Sequence, residues 1–307
     1  MKLDIAAHII EFNSKDIPML PLNDPGYHQF VSAATYQKKI NLSCNIEIKN
    51  HLEDIISDNI YVQIATFPKS TWMFYRSKSD CLIIPKPHIL APFTSLDKWL
   101  LRFNNDFTTA TIYCSKNSMV TKNGNKRFLK NIFNRPLDQL FIMHYFLKNH
   151  GALLHAAGAI INDESYLFPG ISGTGKSTLA KLCQANGLGS WLSDERVILK
   201  RNQNDLAIYG TPWYSATKTV LNKGAPLKAM FFIKHGTDPT IRKLAPPEII
   251  TKIFATVSIP WHDNEFCNIA LNLLDYLIHE IPAFEFSYRP ESQAIHALEK
   301  FINEHVN

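Results

Sequence analysis

The chain has 307 residues, 46% of them hydrophobic and 19% charged, with a formal net charge of +5. That length suits two domains with a sizeable core, and the composition is ordinary for a folded protein. The mild positive balance is spread along the chain rather than gathered into a block, so no nucleic-acid partner is expected. It fits phosphate ligands or an acidic peptide instead.

Met1-Lys2-Leu3-Asp4 has an early acid and no adequate apolar core after it, so no signal peptide is expected. No apolar run reaches the roughly eighteen residues a span needs, so no membrane segment is expected. Cys44, Cys81, Cys114, Cys183 and Cys267 show no C-x-x-C spacing and lie mostly in apolar runs. They read as reduced core residues of a cytoplasmic protein.

In chain order, residues 1–130 are expected to form a β-rich N-terminal domain. The runs 59–65, 72–75, 81–84 and 110–114 are short, aromatic and β-branched, with turn residues between them. The polar, basic stretch 115–130, containing Asn123-Gly124, reads as a solvated loop. Apolar residues between 136 and 149 predict a helix that introduces the second domain, 131–307.

The run 153–161 is apolar with one histidine, His155, and Asn162-Asp163-Glu164-Ser165 then makes a polar turn. That predicts a hairpin leading into the short strand 165–168. Next comes Gly170-Ile171-Ser172-Gly173-Thr174-Gly175-Lys176-Ser177-Thr178, which satisfies G-x-x-x-x-G-K-[ST]. A helix opens at once and stops near Gly187. In such a loop the backbone N–H groups converge on an anion at a helix N-terminus. Lys176 would reach the β- and γ-phosphates, and the Ser177 hydroxyl would ligate Mg²⁺.

A short distance on, the apolar strand ending Trp191-Leu192-Ser193 runs into the acids Asp194 and Glu195. Acids at the end of a neighbouring strand can hold Mg²⁺ or accept a proton from an attacking hydroxyl. The short spacing points toward kinases rather than large ATPases. His155 would be carried to the same end of the sheet as Gly170.

These residues together resemble the catalytic domain of HPr kinase/phosphorylase and the broader HPr-kinase-related kinases, in which the fold is PEP-carboxykinase-like. The runs 210–213, 227–233 and 244–248 add to the resemblance, which covers roughly the second half of the chain. The resemblance implies an α+β or α/β catalytic domain with a mixed sheet flanked by helices. It places ATP phosphates on Gly170 to Thr178, makes Asp194 the base that activates the acceptor hydroxyl, and gives Glu195 or Ser177 to Mg²⁺. His155 and Lys176 would lie at the transferred phosphate. Where the HPr-specific enzymes carry two aspartates this chain has Asp194-Glu195, so the acceptor need not be HPr.

The tail reads as structural. Phe266, Ile269, Ala270, Leu273, Leu274, Leu277 and Ile278 mark one buried helix face, Ile249 to Val257 a shorter helix, and Ala294 to Phe301 a last one. The run 284–288 reads as a strand between them. His262, Asp263, His279 and Glu280 fit no zinc spacing and read as caps and surface residues.

The leading reading is thus an ATP- and Mg²⁺-dependent kinase acting on a Ser or Thr hydroxyl of a peptide or protein. The β-rich domain would recognise the acceptor or mediate assembly, a homo-oligomer included. A small-molecule P-loop kinase and a nucleotide-sensing binding module are the alternatives.

Overall fold

The structure, a computed structural model, describes residues 1–307 apart from 16, 20, 21, 23, 33–38, 58–61, 66–71, 86–98, 123–125, 130–132, 134, 204 and 307. Residues 59–61 of the first expected strand and the Asn123-Gly124 turn lie outside the described residues. The chain divides into two compact units, Met1–Lys148 with Pro260–Cys267, and Asn149–Ile259 with Asn268–Asn307.

The strands of the first unit are β1 (Lys2–Ile5), β2 (His8–Ser14), β3 (Ile40–Lys49), β4 (Val62–Ala65), β5 (Trp72–Arg76), β6 (Asp80–Pro85), β7 (Trp99–Asn104) and β8 (Thr109–Ser115). They form one sheet in the order β1-β2-β3-β8-β7-β6-β5-β4. Strand β3 is parallel to both β2 and β8, and the other pairs are antiparallel. Alternation is plain in β3, where Leu42, Cys44 and Ile46 turn inward. A separate hairpin follows, β9 (Met119–Lys122) with β10 (Lys126–Leu129), and the described residues also form α1 (Glu53–Ser57) and α2 (Leu137–Lys148).

Helix α2 belongs to this first unit, so the division falls after Lys148 and not at the boundary of 130 and 131 expected from sequence. The reason is aromatic packing. Phe141 lies 5.0 Å from Phe103, 5.3 Å from Phe133 and 5.9 Å from Phe12, ring centre to ring centre. Asp263 also departs from expectation. It is a cap, accepting the Glu265 and Phe266 N–H groups, but it is 3% exposed rather than a surface residue. Burial is tolerated because Arg76 donates to its other oxygen at 2.5 Å.

The second unit holds β11 (Gly151–Leu154), β12 (Ala156–Ile161), β13 (Glu164–Pro169), β14 (Ser190–Ser193), β15 (Val197–Asn202), β16 (Asp205–Tyr209), β17 (Gly224–His235), β18 (Thr240–Lys243), β19 (Val257–Ser258) and β20 (Ala283–Tyr288). Their order is β14-β12-β13-β17-β16-β15-β11-β19, with β20 beside β17 and β18 beside β20. The sheet is mixed: β13–β17 and β17–β20 are parallel, the remaining pairs antiparallel. Helices α3 (Lys176–Ala185), α4 (Pro246–Ile253), α5 (Asn264–Glu280) and α6 (Ser292–His305) complete the fold. Residues Asn264–Cys267 of α5 fall in the first unit.

Leu179 of α3 and Leu298 of α6 share one buried cluster with Phe168, Phe231 and Phe286 of the strands. Helix α4 is shorter than its stripe suggested. Thr256 closes it by turning both its N–H and its hydroxyl onto the Ile253 carbonyl, and Val257 enters a strand. Among the described residues no helix is long and apolar enough to cross a membrane.

Candidate functional site

The site begins with a hairpin. Asn162 and Asp163 both take left-handed backbone angles, φ 52° and 64°, which a two-residue turn between twisted strands requires. Strands β12 and β13 therefore pair closely, with Ala156 opposite Pro169. The expected single strand over 153–161 is in fact two. The chain bends at His155, so that β11 pairs with β15 and β19 while β12 pairs with β13 and β14. The bend is pinned on both sides. His155 N–H donates to Thr256 O at 2.7 Å, and Gly170 N–H donates to His155 O at 3.2 Å.

Gly173 and Gly175 have φ of 87° and 97°, angles that only glycine adopts freely. Gly170 is needed for space, since a Cβ there would stand 2.4 Å from Thr174 Oγ1. Gly175 caps α3 without a side-chain hydrogen bond. The helix's positive pole faces the loop.

The first side chain of α3 is Lys176, 6% exposed. Its Nζ donates to Gly170 O at 2.6 Å and to Ile171 O at 3.0 Å, and lies 3.4 Å from His155 Nε2. Burial lowers the Lys176 pKa to about 8, with Asp194 and Glu195 pulling it back up. Burial, then the charges of Lys176 and Arg196, lower His155 to about 4. The imidazole is therefore neutral at pH 7 and accepts from the Lys176 amine through Nε2.

The other wall comes from β14. Ser193 Oγ donates to Trp213 O at 2.7 Å and accepts the N–H groups of Glu195 and Arg196, which fixes the turn just beyond the strand. Asp194 in that turn is 2% exposed. Ser215 N–H donates to its Oδ1 at 2.8 Å and Thr217 N–H to its Oδ2 at 3.1 Å. Burial alone would raise its pKa. Hydrogen bonds from Ser215, from the Ser177 hydroxyl and from Thr217 outweigh that and hold it below the ordinary carboxylate range. Asp194 is ionised and oriented.

These groups surround one cleft of about 300 Å³. His155, Lys176, Ser177, Asp194 and Glu195 line it, with Ser172, Gly173, Gly175 and Thr178 of the loop. Three predicted residues do not. Ile171 is 53% exposed, Thr174 Oγ1 turns onto the Ile171 carbonyl, and Gly170 acts through its backbone. Ser215, Thr217 and His235 were missed. The first two act through backbone N–H groups, which no side-chain pattern reveals, and His235 ends β17, two residues beyond the run 227–233 that entered the sequence reading only through the resemblance.

Among the described residues no group of three or more His, Cys, Asp or Glu side chains could hold a metal alone. A divalent cation here would take Ser177 and Glu195 together with oxygens of a bound anion. The arrangement can grip a polyanion at a helix N-terminus beside an ionised carboxylate.

No protein-family model matches the chain. No curated protein matches it either. Among solved structures, the chain is similar to the Hpr(Ser) kinase/phosphatase from Coxiella burnetii at 12% identity and a TM-score of 0.28. The likeness covers 50% of this chain and 95% of that one.

Proposed function

We propose that this protein is a kinase that passes the γ-phosphate of ATP to a Ser or Thr hydroxyl of a peptide or protein. The observation that carries the reading is the convergence of Lys176, Ser177, Asp194 and His155 on one cleft at the end of the β12–β13 hairpin. Lys176 and the N-terminus of α3 hold the β- and γ-phosphates and offset the charge that builds as the bridging bond breaks. The acceptor oxygen attacks the γ-phosphorus, the bond to the β–γ bridging oxygen breaks, and ADP leaves. Asp194 takes the acceptor's proton. The neutral His155 keeps Lys176 aimed at the phosphate without adding a second positive charge.

Mg²⁺ suits the oxygen donors present, because such sites use one or two carboxylates plus substrate phosphates. Ser177 and Glu195 would hold it, and it would neutralise charge on the β- and γ-oxygens. The antiparallel partners β12 and β14 favour a peptide or protein kinase over an ordinary small-molecule one. In the latter, a crossover helix and a parallel strand would stand in place of the hairpin.

Asp194→Asn tests the reading, with labelled ATP turnover measured beside ATP·Mg²⁺ affinity by calorimetry. Turnover should fall about 10²–10⁴-fold, and affinity far less. Equal losses would make Asp194 a metal ligand and move the base elsewhere. Nucleotide binding without turnover in the wild type would make the protein a nucleotide-sensing module.

A further inference from the structure

One side chain in the cleft has no task in that mechanism. His235 is exposed, and its imidazole makes no hydrogen bond, ion pair or ring contact among the described residues. It is nevertheless firmly placed. Strand β17 is the neighbour of β13 on the side away from β12 and β14. Leu167 lies level with Met230, so β17 runs on past the end of β13 and lifts His235 beside the loop. A Cβ on Gly175 would stand 3.7 Å from His235 Cε1, which sets the ring against the first turn of α3. Strand β20 rises to the same height, with Tyr288 opposite His235, and Gly236 N–H ties the end of β17 to Tyr288 O at 3.0 Å.

The order of strands gives the cleft a direction. Asp194, Glu195 and His155 stand on the β14–β12 side of the loop, and His235 stands on the other. Resting on the phosphate-site reading above, a polyphosphate with its reacting end at Asp194 crosses the N-terminus of α3 and leaves toward β17. Its nucleoside then emerges at His235.

We propose that His235 is the nucleoside contact, its imidazole stacking on the base of the donor. Among the described residues lining the cleft, only the two histidines carry a ring, and His155 is committed to Lys176. Stacking tolerates any base, because every base has a π-face. The site would therefore select its donor by the phosphates and hold adenine and guanine alike.

The test is calorimetry on the full chain with three probes, ATP, GTP and inorganic tripolyphosphate, each with Mg²⁺. Wild type is compared with His235→Ala and His235→Phe. Loss of base stacking typically weakens binding about tenfold or more, so His235→Ala should weaken ATP and GTP by that factor and leave tripolyphosphate unchanged. His235→Phe should restore both nucleotides. Equal weakening of tripolyphosphate would make His235 a phosphate contact and overturn the assignment. So would unchanged nucleotide binding in His235→Ala, or a Phe variant as weak as Ala. In those cases wild-type affinity for tripolyphosphate leaves the phosphate site standing. Wild type that binds neither ATP nor tripolyphosphate removes the phosphate-site reading itself, and the His235 contact with it.

Discussion

Lys176→Met should abolish phosphoryl transfer and change stability little at pH 7. A lysine amine ordinarily titrates at 10.5 and in this site at about 8, chiefly because it is buried. At ~1.4 kcal/mol for each tenfold change, keeping that amine charged costs the fold about 3 kcal/mol. Against this stand its hydrogen bonds to the Gly170 and Ile171 carbonyls, which from a charged donor contribute together on the order of 3 kcal/mol or more. Methionine keeps the length of the stem and removes both contributions, so they largely cancel at pH 7. The pH dependence carries a sign of its own. Below pH 8 the amine is protonated in both the folded and unfolded chains and the full cost is present. Between about 8 and 10.5 the unfolded chain binds more protons, so wild-type stability rises relative to the variant. Urea midpoints at pH 7 and pH 10, taken for both proteins, read the difference directly. A variant clearly less stable at pH 7, with a gap that does not change with pH, would refute the buried-charge argument. Wild-type turnover in the variant would sink the phosphate assignment.

His155 is held at about 4, below the ordinary 6.5, so its folded form resists protonation. Wild type should lose stability relative to His155→Phe as pH falls from about 6.5 toward 4; urea midpoints at pH 7 and 4.5 check this, and parallel pH dependences would contradict it. In the first unit, Asp263→Ala removes the cap of two N–H groups and the partner of Arg76. Its cost should be about 1–3 kcal/mol, discounted because Arg76 is partly solvated. Asp263→Asn, which keeps the cap, should cost less in the same thermal-unfolding series.

The parts of this molecule that local chemistry dictates were readable in advance. The stripe through Phe266, Ala270, Leu273 and Leu277 became α5 because burial on a helix repeats every turn. The hairpin ahead of Gly170 followed from a polar turn too short for any crossover. Asp194 was read as an acid at the end of a strand beside the loop, but its hydrogen bond from the Ser177 hydroxyl was not foreseen. What went unread depends on distant partners. Strands β1, β2 and β3 were not foreseen, and the β2–β3 and β3–β8 pairs are parallel, which no neighbouring turn announces. The bend at His155 arises from a competition among β13, β14, β15 and β19 for its two flanking strands, and Thr256 settles it from a hundred residues away. Helix α2 reads, on its own residues, as the opening of the second domain; its allegiance to the first is decided by Phe12 and Phe103, which lie far from it in the chain.

The bond from His155 N–H to the Thr256 carbonyl also sets a timetable for synthesis. A nascent chain that has just released Gly170–Ser177 from the ribosome has the glycines, the lysine and the Gly170 side of the strand bend, but not yet its Thr256 side. The Asp194 carboxylate must wait for Ser215 and Thr217, and the pinned end of β17 for β20 at Ala283–Tyr288. Translation adds about 5–20 residues each second, so the loop spends several seconds in existence before its supports arrive. Chains cut short anywhere ahead of Thr256 lack the carbonyl that holds the His155 N–H.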